Sequence, residues 1–151
     1  MDISEKIIES AKEIFSTMVM MEITVSGDNK TESLPMTESI SGVIGLAGTH
    51  KGVLAIHIPN KVAMAITSSF LGMDVDEINA DVADAVGELA NMLGGNVKSI
   101  LSENGRDINL SLPSTITGQQ YDFQPTNDVE RVVIPFRCGA GEFAIDFQLE
   151  K

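Results

Sequence analysis

The sequence predicts an α+β fold in which helices pack on an antiparallel sheet, and three observations carry that reading. Apolar residues recur at helical spacing over three segments, about 2–20, 59–72 and the mid-seventies to about 105. Other segments alternate apolar and polar residues with period two, most cleanly Phe143, Ile145, Phe147 and Leu149. The order of elements is helix, strand, hairpin, helix, long helix, strand, hairpin, without the strand–helix–strand succession that builds a parallel sheet. A helix followed by strands occurs twice, a hint of a duplicated half-motif, although no residues align between the halves.

Each element has its own signal. In the first helix, Ile3, Ile7, Ile14, Met18 and Met21 fall three, four or seven apart with Ala11 between, while Glu5, Glu9 and Glu13 form the polar face. A short strand at Ile23–Val25 leads into a loop, Ser26–Ser33, polar by composition. Ile40–Ala47 and Gly52–Ile58 read as a hairpin around Gly48–Lys51. Pro59 suits a first helical turn, where its missing N–H costs nothing, and Gly72 suits a helix end. Between them Val62, Ile66 and Phe70 form a stripe. Asp74, Asp76, Glu77 and Asp81 load the start of the long helix with negative charge, favourable against its dipole, and the helix is expected to run to about Asn104-Gly105. Ile108, Leu110 and Leu112 alternate as a strand, and Gly118–Asp128 reads as a polar loop. Val132–Cys138 and Phe143–Leu149 form a last hairpin through Gly139-Ala-Gly141.

Composition narrows the function classes. A length of 151 residues and a hydrophobic content of 43% suit one domain, residues 1–151, with a real core. No run approaches the roughly 20 apolar residues of a membrane span, and the N-terminus has neither a basic segment nor an apolar one, so a cytoplasmic location is expected. A net charge of −12 repels nucleic acid and anionic lipid and favours a basic or cation-bearing partner. Cys138 has no second cysteine for a disulfide or thiolate site and reads as a buried strand residue. His50 and His57 lack the carboxylate spacing of a metal site. Neither a G-x-S-x-G elbow, a P-loop nor a G-x-G-x-x-G is present.

The long helix carries the informative pattern. At about 100° per residue, Val82, Val86, Leu89, Leu93, Val97 and Ile100 fall within about 80° and form the core stripe. Asp84, Glu88 and Asn91 lie on the opposite side at i, i+4 and i+7, with Gly95 one turn further and Gly87 and Gly94 beside them. Asn91, Gly94 and Gly95 weaken the helix by about 2 kcal/mol, a cost that solubility does not require. Glycines on an exposed face permit another backbone to approach. A carboxylate and a carboxamide one turn apart form a compact set of acceptors and a donor. A kink or helix end at Gly94-Gly95 is the competing explanation, opposed by the apolar stripe continuing in phase.

The run Asp84-x3-Glu88-x2-Asn91, continued by Met-Leu-Gly-Gly-Asn-Val and followed about twenty residues later by Pro113, resembles the signature of the CheC, CheX and FliY phosphatases of bacterial chemotaxis. These hydrolyse the phosphoryl-aspartate of the response regulator CheY. The family's proline lies one residue later than Pro113 does here, a departure that bears on Pro113 and leaves Glu88 and Asn91 untouched. The resemblance follows the element order along nearly the whole chain and implies a CheC-like fold with a long motif-bearing helix. CheC-like members carry two such helices, whereas the first helix here offers Glu13-Ile-Phe-Ser16 in place of a second Glu-x-x-Asn. One motif and this length look like the CheX branch, whose members generally work as homodimers.

By this resemblance Glu88 and Asn91 are the catalytic pair; Asp84, Gly87, Gly94 and Gly95, on or beside the same helix face, are the candidate contacts to the partner. An acyl phosphate is already activated, so hydrolysis mainly needs a water held in line with the departing carboxylate. Asn91 can orient that water but cannot take its proton, and Glu88 suits a charge-assisted contact with a lysine of the phosphorylated CheY-like regulator. Asp84 is either a partner contact or a solvated helix residue. No cofactor is expected on this chain; Mg²⁺ would sit in the regulator's own site. Two alternatives stay open at this point: a non-catalytic, dimeric binding or scaffold module of the same family, and a flagellar switch component, which the complete Glu-x-x-Asn argues against.

Overall fold

A computed structural model of the chain describes residues 3–31, 36–102, 107–121 and 128–150. Helix α1 (Ile3–Ile14) buries Ile7, Ala11 and Ile14 and passes into a wider π-helical turn, Phe15–Val19. That turn closes at Met20 in the left-handed conformation, φ 61°. Strands β1 (Thr24–Val25), β2 (Met36–Gly48) and β3 (Gly52–Pro59) follow, then α2 (Asn60–Leu71) and α3 (Ala80–Leu101). The chain ends in β4 (Ile108–Leu110), β5 (Ser114–Tyr121), β6 (Val129–Cys138) and β7 (Gly141–Glu150). All pairings are antiparallel, in the order β1-β6-β7-β3-β2-β4, with β5 on the same edge of β2 as β4. Among the described residues, three α-helices on a seven-stranded antiparallel sheet make the α+β fold that the sequence predicts.

Helix ends follow the local chemistry. Gly72 closes α2 at φ 69°, a left-handed conformation that any other residue would strain to adopt. Asn79 caps α3 by accepting the Val82 N–H at its side-chain oxygen, 3.2 Å away. This cap moves the start of the long helix: Asp74, Asp76 and Glu77 lie in the connection before it, and only Asp81 stands in the first turn. The helix ends at Leu101, and the expected end at Asn104-Gly105 lies outside the described residues.

The expectation of a loop from Gly118 needs correction. Tyr121 and the residues before it belong to β5, which pairs with β2 from Met36↔Tyr121 to Val43↔Ser114. Every β5 residue is exposed or half-buried, so no apolar alternation announces the strand. The backbone ladder along β2 sustains it instead.

The core lies between the helices and one face of the sheet. Ile40, Ile44, Leu54, Ile56, Ile58, Ile134, Phe136 and Ile145 meet Phe15, Ile66, Val82, Val86, Leu89, Leu93 and Val97, all essentially inaccessible. Phe143 stacks between Phe15 and Phe136, with ring centroids 5.2 and 5.5 Å apart. Helix α3 lies so close to β2 that glycines are needed at the crossing. A methyl group at Gly42 would stand 2.8 Å from the Val86 carbonyl oxygen, and one at Gly94 would stand 2.9 Å from Ile44 Cγ2.

Candidate functional site

Helix α3 presents its motif residues as its stripe dictates. With Val86, Leu89 and Leu93 fixed in the core, Asp84 and Glu88 are exposed and Asn91 is half-buried one turn on. Neither carboxylate has an ion-pair partner among the described residues, and the Asn91 carboxamide has no hydrogen-bond partner there. Two carboxylates and a free carboxamide along one line of a helix offer acceptors for a cation or a water and a donor for an oxyanion.

A shallow pocket of about 350 Å³ adjoins this line, walled by Ala83, Asp84, Gly87 and Glu88 on α3 and by Pro113 and Thr115 across from them. Gly87 is buried at its floor. A Cβ there would lie 3.8 Å from Thr115 Cγ2 and 3.9 Å from Pro113 Cβ, ordinary contacts that would begin to fill the pocket. Pro113 is carried there by β2. The Ser111 N–H donates to Gly45 O at 2.9 Å, and the Gly45 N–H donates to Ser111 Oγ at 2.8 Å. The proline that departs from the family's spacing by one residue thus stands across the pocket from Glu88.

The glycines separate into different roles. Gly95 faces open space with nothing within 4 Å, as an approach surface requires. Gly94 does not: it is buried, and its smallness accommodates Ile44 of the chain's own sheet. The placement of Gly94 on an exposed face is therefore corrected; it sits on the flank of α3, where the helix turns toward β2.

A second polar constellation was not legible from spacing. On the sheet face away from α3, Ser41 Oγ lies 2.6 Å from His57 Nδ1 and 2.7 Å from the Tyr121 hydroxyl, and His57 Nε2 lies 3.1 Å from Asp146 Oδ2. Arg131 donates to both oxygens of Asp146 at 3.0 and 2.7 Å. Burial opposes ionisation of Asp146, yet the hydrogen bonds and charges of His57 and Arg131 outweigh it and hold the carboxyl below its ordinary value. Burial pushes the Tyr121 hydroxyl up, with Ser41 partly offsetting it. Ser41 is wholly buried, so it cannot meet a substrate as a nucleophile. A hollow of about 830 Å³ beside His57, lined also by Lys30, Ser39, Pro135 and Phe143, touches neither Glu88 nor Asn91. Among the described residues no group of three or more His, Cys, Asp or Glu is arranged to hold a metal, and no helix is long and apolar enough to cross a membrane.

Comparison with known proteins agrees with this architecture. The CheY-P phosphatase CheX of Thermotoga maritima is 23% identical over 114 residues, covering 75% of this chain and 74% of that one. The chemotaxis protein CheX of Desulfovibrio desulfuricans superposes with a TM-score of 0.86 at 28% identity, over 99% of this chain and 100% of the other. The same fold occurs in a CheX-CheY-BeF3-Mg²⁺ complex from Borrelia burgdorferi, with a TM-score of 0.81, 20% identity and 99% of each chain covered. The model of the family described as chemotaxis phosphatase CheX matches residues 40–137, well over half the chain and the whole of the motif helix, and the chain belongs to that family.

Proposed function

We propose that this chain hydrolyses the phosphoryl-aspartate of a CheY-type response regulator. The observation that carries the reading is exposed Glu88 and half-buried Asn91 one turn apart on α3, without side-chain partners among the described residues, with Glu88 lining the pocket at Pro113. The family's description as chemotaxis phosphatases and the Borrelia complex, in which a CheX is bound to CheY, support it.

In this mechanism Asn91 Oδ1 accepts a hydrogen bond from a water in line with the acyl phosphate, and its Nδ2 donates to a phosphoryl oxygen. Water oxygen bonds to phosphorus as the phosphorus–carboxylate oxygen bond breaks. The regulator's aspartate leaves with the electron pair, and the water's proton passes to phosphate or solvent. Asn91 positions and does not act as a base. Glu88 makes a charge-assisted contact with a regulator lysine, since a carboxylate against the phosphoryl group would be repelled. Asp84, Gly87 and Gly95 border the partner. Mg²⁺ belongs in the regulator's own acidic site, where it neutralises the developing charge. A cytoplasmic location follows from that partner, and the working form is a homodimer joined through β-strands.

The test is turnover of excess phosphorylated receiver domain, with Mg²⁺ and after its chelation. Catalytic consumption that requires Mg²⁺ is expected. Asn91→Ala should lower the rate by about 10²-fold with docking preserved, whereas Glu88→Ala should impair both and Glu88→Gln less so. Stoichiometric protection without turnover, or full activity in Asn91→Ala, would leave α3 as a docking surface only.

A further inference from the structure

We infer that Leu112, next to Pro113, is the apolar anchor that seats the regulator against the motif helix. The inference rests on the phosphatase reading and adds to it a specificity residue outside the Glu-x-x-Asn line. Leu112 is 89% exposed, and Pro113 next to it walls the pocket that Asp84 and Glu88 share. A single exposed leucine means little, because more than half of any protein surface is apolar. Here the backbone on either side is fixed. Ser111 is held to Gly45 by two hydrogen bonds, and its hydroxyl donates to Leu112 O at 3.0 Å. Pro113 limits the conformations open to Leu112 from the other side, and β5 begins its ladder on β2 at once with Ser114. A large side chain held outward on a rigid support loses little freedom on binding, which is what an anchor needs.

The surroundings indicate what it anchors. Leu112 lies outside the pocket, so a small acyl phosphate held at Asn91 would leave it bare. Only a partner whose surface extends past its phosphoryl site would cover it. The carboxylates of Asp84 and Glu88 are unpaired among the described residues and beside this apolar spot, and so select a partner with a cation next to an apolar patch. A receiver domain that presents its lysine to Glu88 and its phosphoryl group to Asn91 would set its adjoining surface against Leu112 and Pro113.

The experiment compares the full chain with Leu112→Ala and Leu112→Asp. Affinity is measured for a receiver domain loaded with beryllium fluoride and Mg²⁺, turnover for the phosphorylated domain, mass by light scattering, and Tm. Burying a leucine corresponds to about tenfold in affinity or more, so both variants should raise Kd and KM by at least about tenfold. kcat, Tm and mass should be unchanged. Unchanged affinity and KM would overturn the inference. A fall in mass would assign Leu112 to a second copy of the chain, and a fall in Tm would assign it to the fold; either overturns it too. If the wild-type chain binds the loaded receiver without turnover, the phosphatase reading falls, and the anchor is still judged on the affinity arm.

Discussion

Gly42→Ala tests whether the depth of α3 on the sheet sets the catalytic pair. The added methyl group would lie 2.8 Å from the Val86 carbonyl oxygen, 3.0 Å from Val86 Cγ1 and 3.2 Å from Ala90 Cβ. The nearest atom is backbone, so no side-chain rotation relieves it. Restoring an ordinary contact of about 3.4 Å requires α3 and β2 to part by about 0.6 Å at that point. Overpacking of this kind costs about 1–3 kcal/mol, and each kcal/mol lowers Tm by about 2–4 °C for a domain of this size. The displaced residues Val86 and Ala90 stand two before Glu88 and one before Asn91, so both functional side chains move with them. Catalytic groups must hold their positions within about 0.5 Å, and a 1 Å error can cost about 10²-fold. Single-turnover dephosphorylation, well below the lowered Tm, should therefore slow by about tenfold or more. A variant with unchanged Tm and unchanged rate would refute the argument that Gly42 sets the helix position.

Gly95→Ala separates docking from folding on the same helix. With open space around it the methyl group should raise stability by about 1 kcal/mol, while regulator affinity falls if the glycine admits the partner's backbone; higher Tm with full affinity would remove Gly95 from the docking surface. Asp146→Asn should destabilise the fold at neutral pH by removing the buried charge that Arg131 and His57 both bond, read by urea unfolding. Because the folded carboxyl sits below its unfolded value, its contribution is present above about pH 4 and is lost as pH falls through the lower folded value, so the variant should lack that acid limb. Light scattering at micromolar concentration should give the mass of a dimer, and a monomer would count against the proposed assembly.

What the sequence determined by itself was whatever a single segment states locally. Val82, Val86, Leu89, Leu93 and Val97 assign the buried side of α3 through 3.6-residue periodicity, and this alone turns Glu88 and Asn91 away from the core. Period-two alternation likewise announced β7, and Pro59 and Gly72 bounded α2 closely. The family resemblance, read from Glu88, Asn91 and the glycines after them, agreed with the family match over residues 40–137. The tertiary structure decided whatever depends on which distant segments meet. Strand β5 buries almost nothing and exists because β2 offers it a ladder. Gly94 lies on the flank of the motif line, and only the proximity of Ile44 explains its size. Pro113 joins the site through Ser111 and Gly45, sixty-six residues apart. Ser41, His57, Asp146 and Arg131 form one network because antiparallel register places four strands' side chains on one face. Periodicity records which way a side chain points along its own element; register and packing distance decide what it meets there, and no local stretch of sequence contains either.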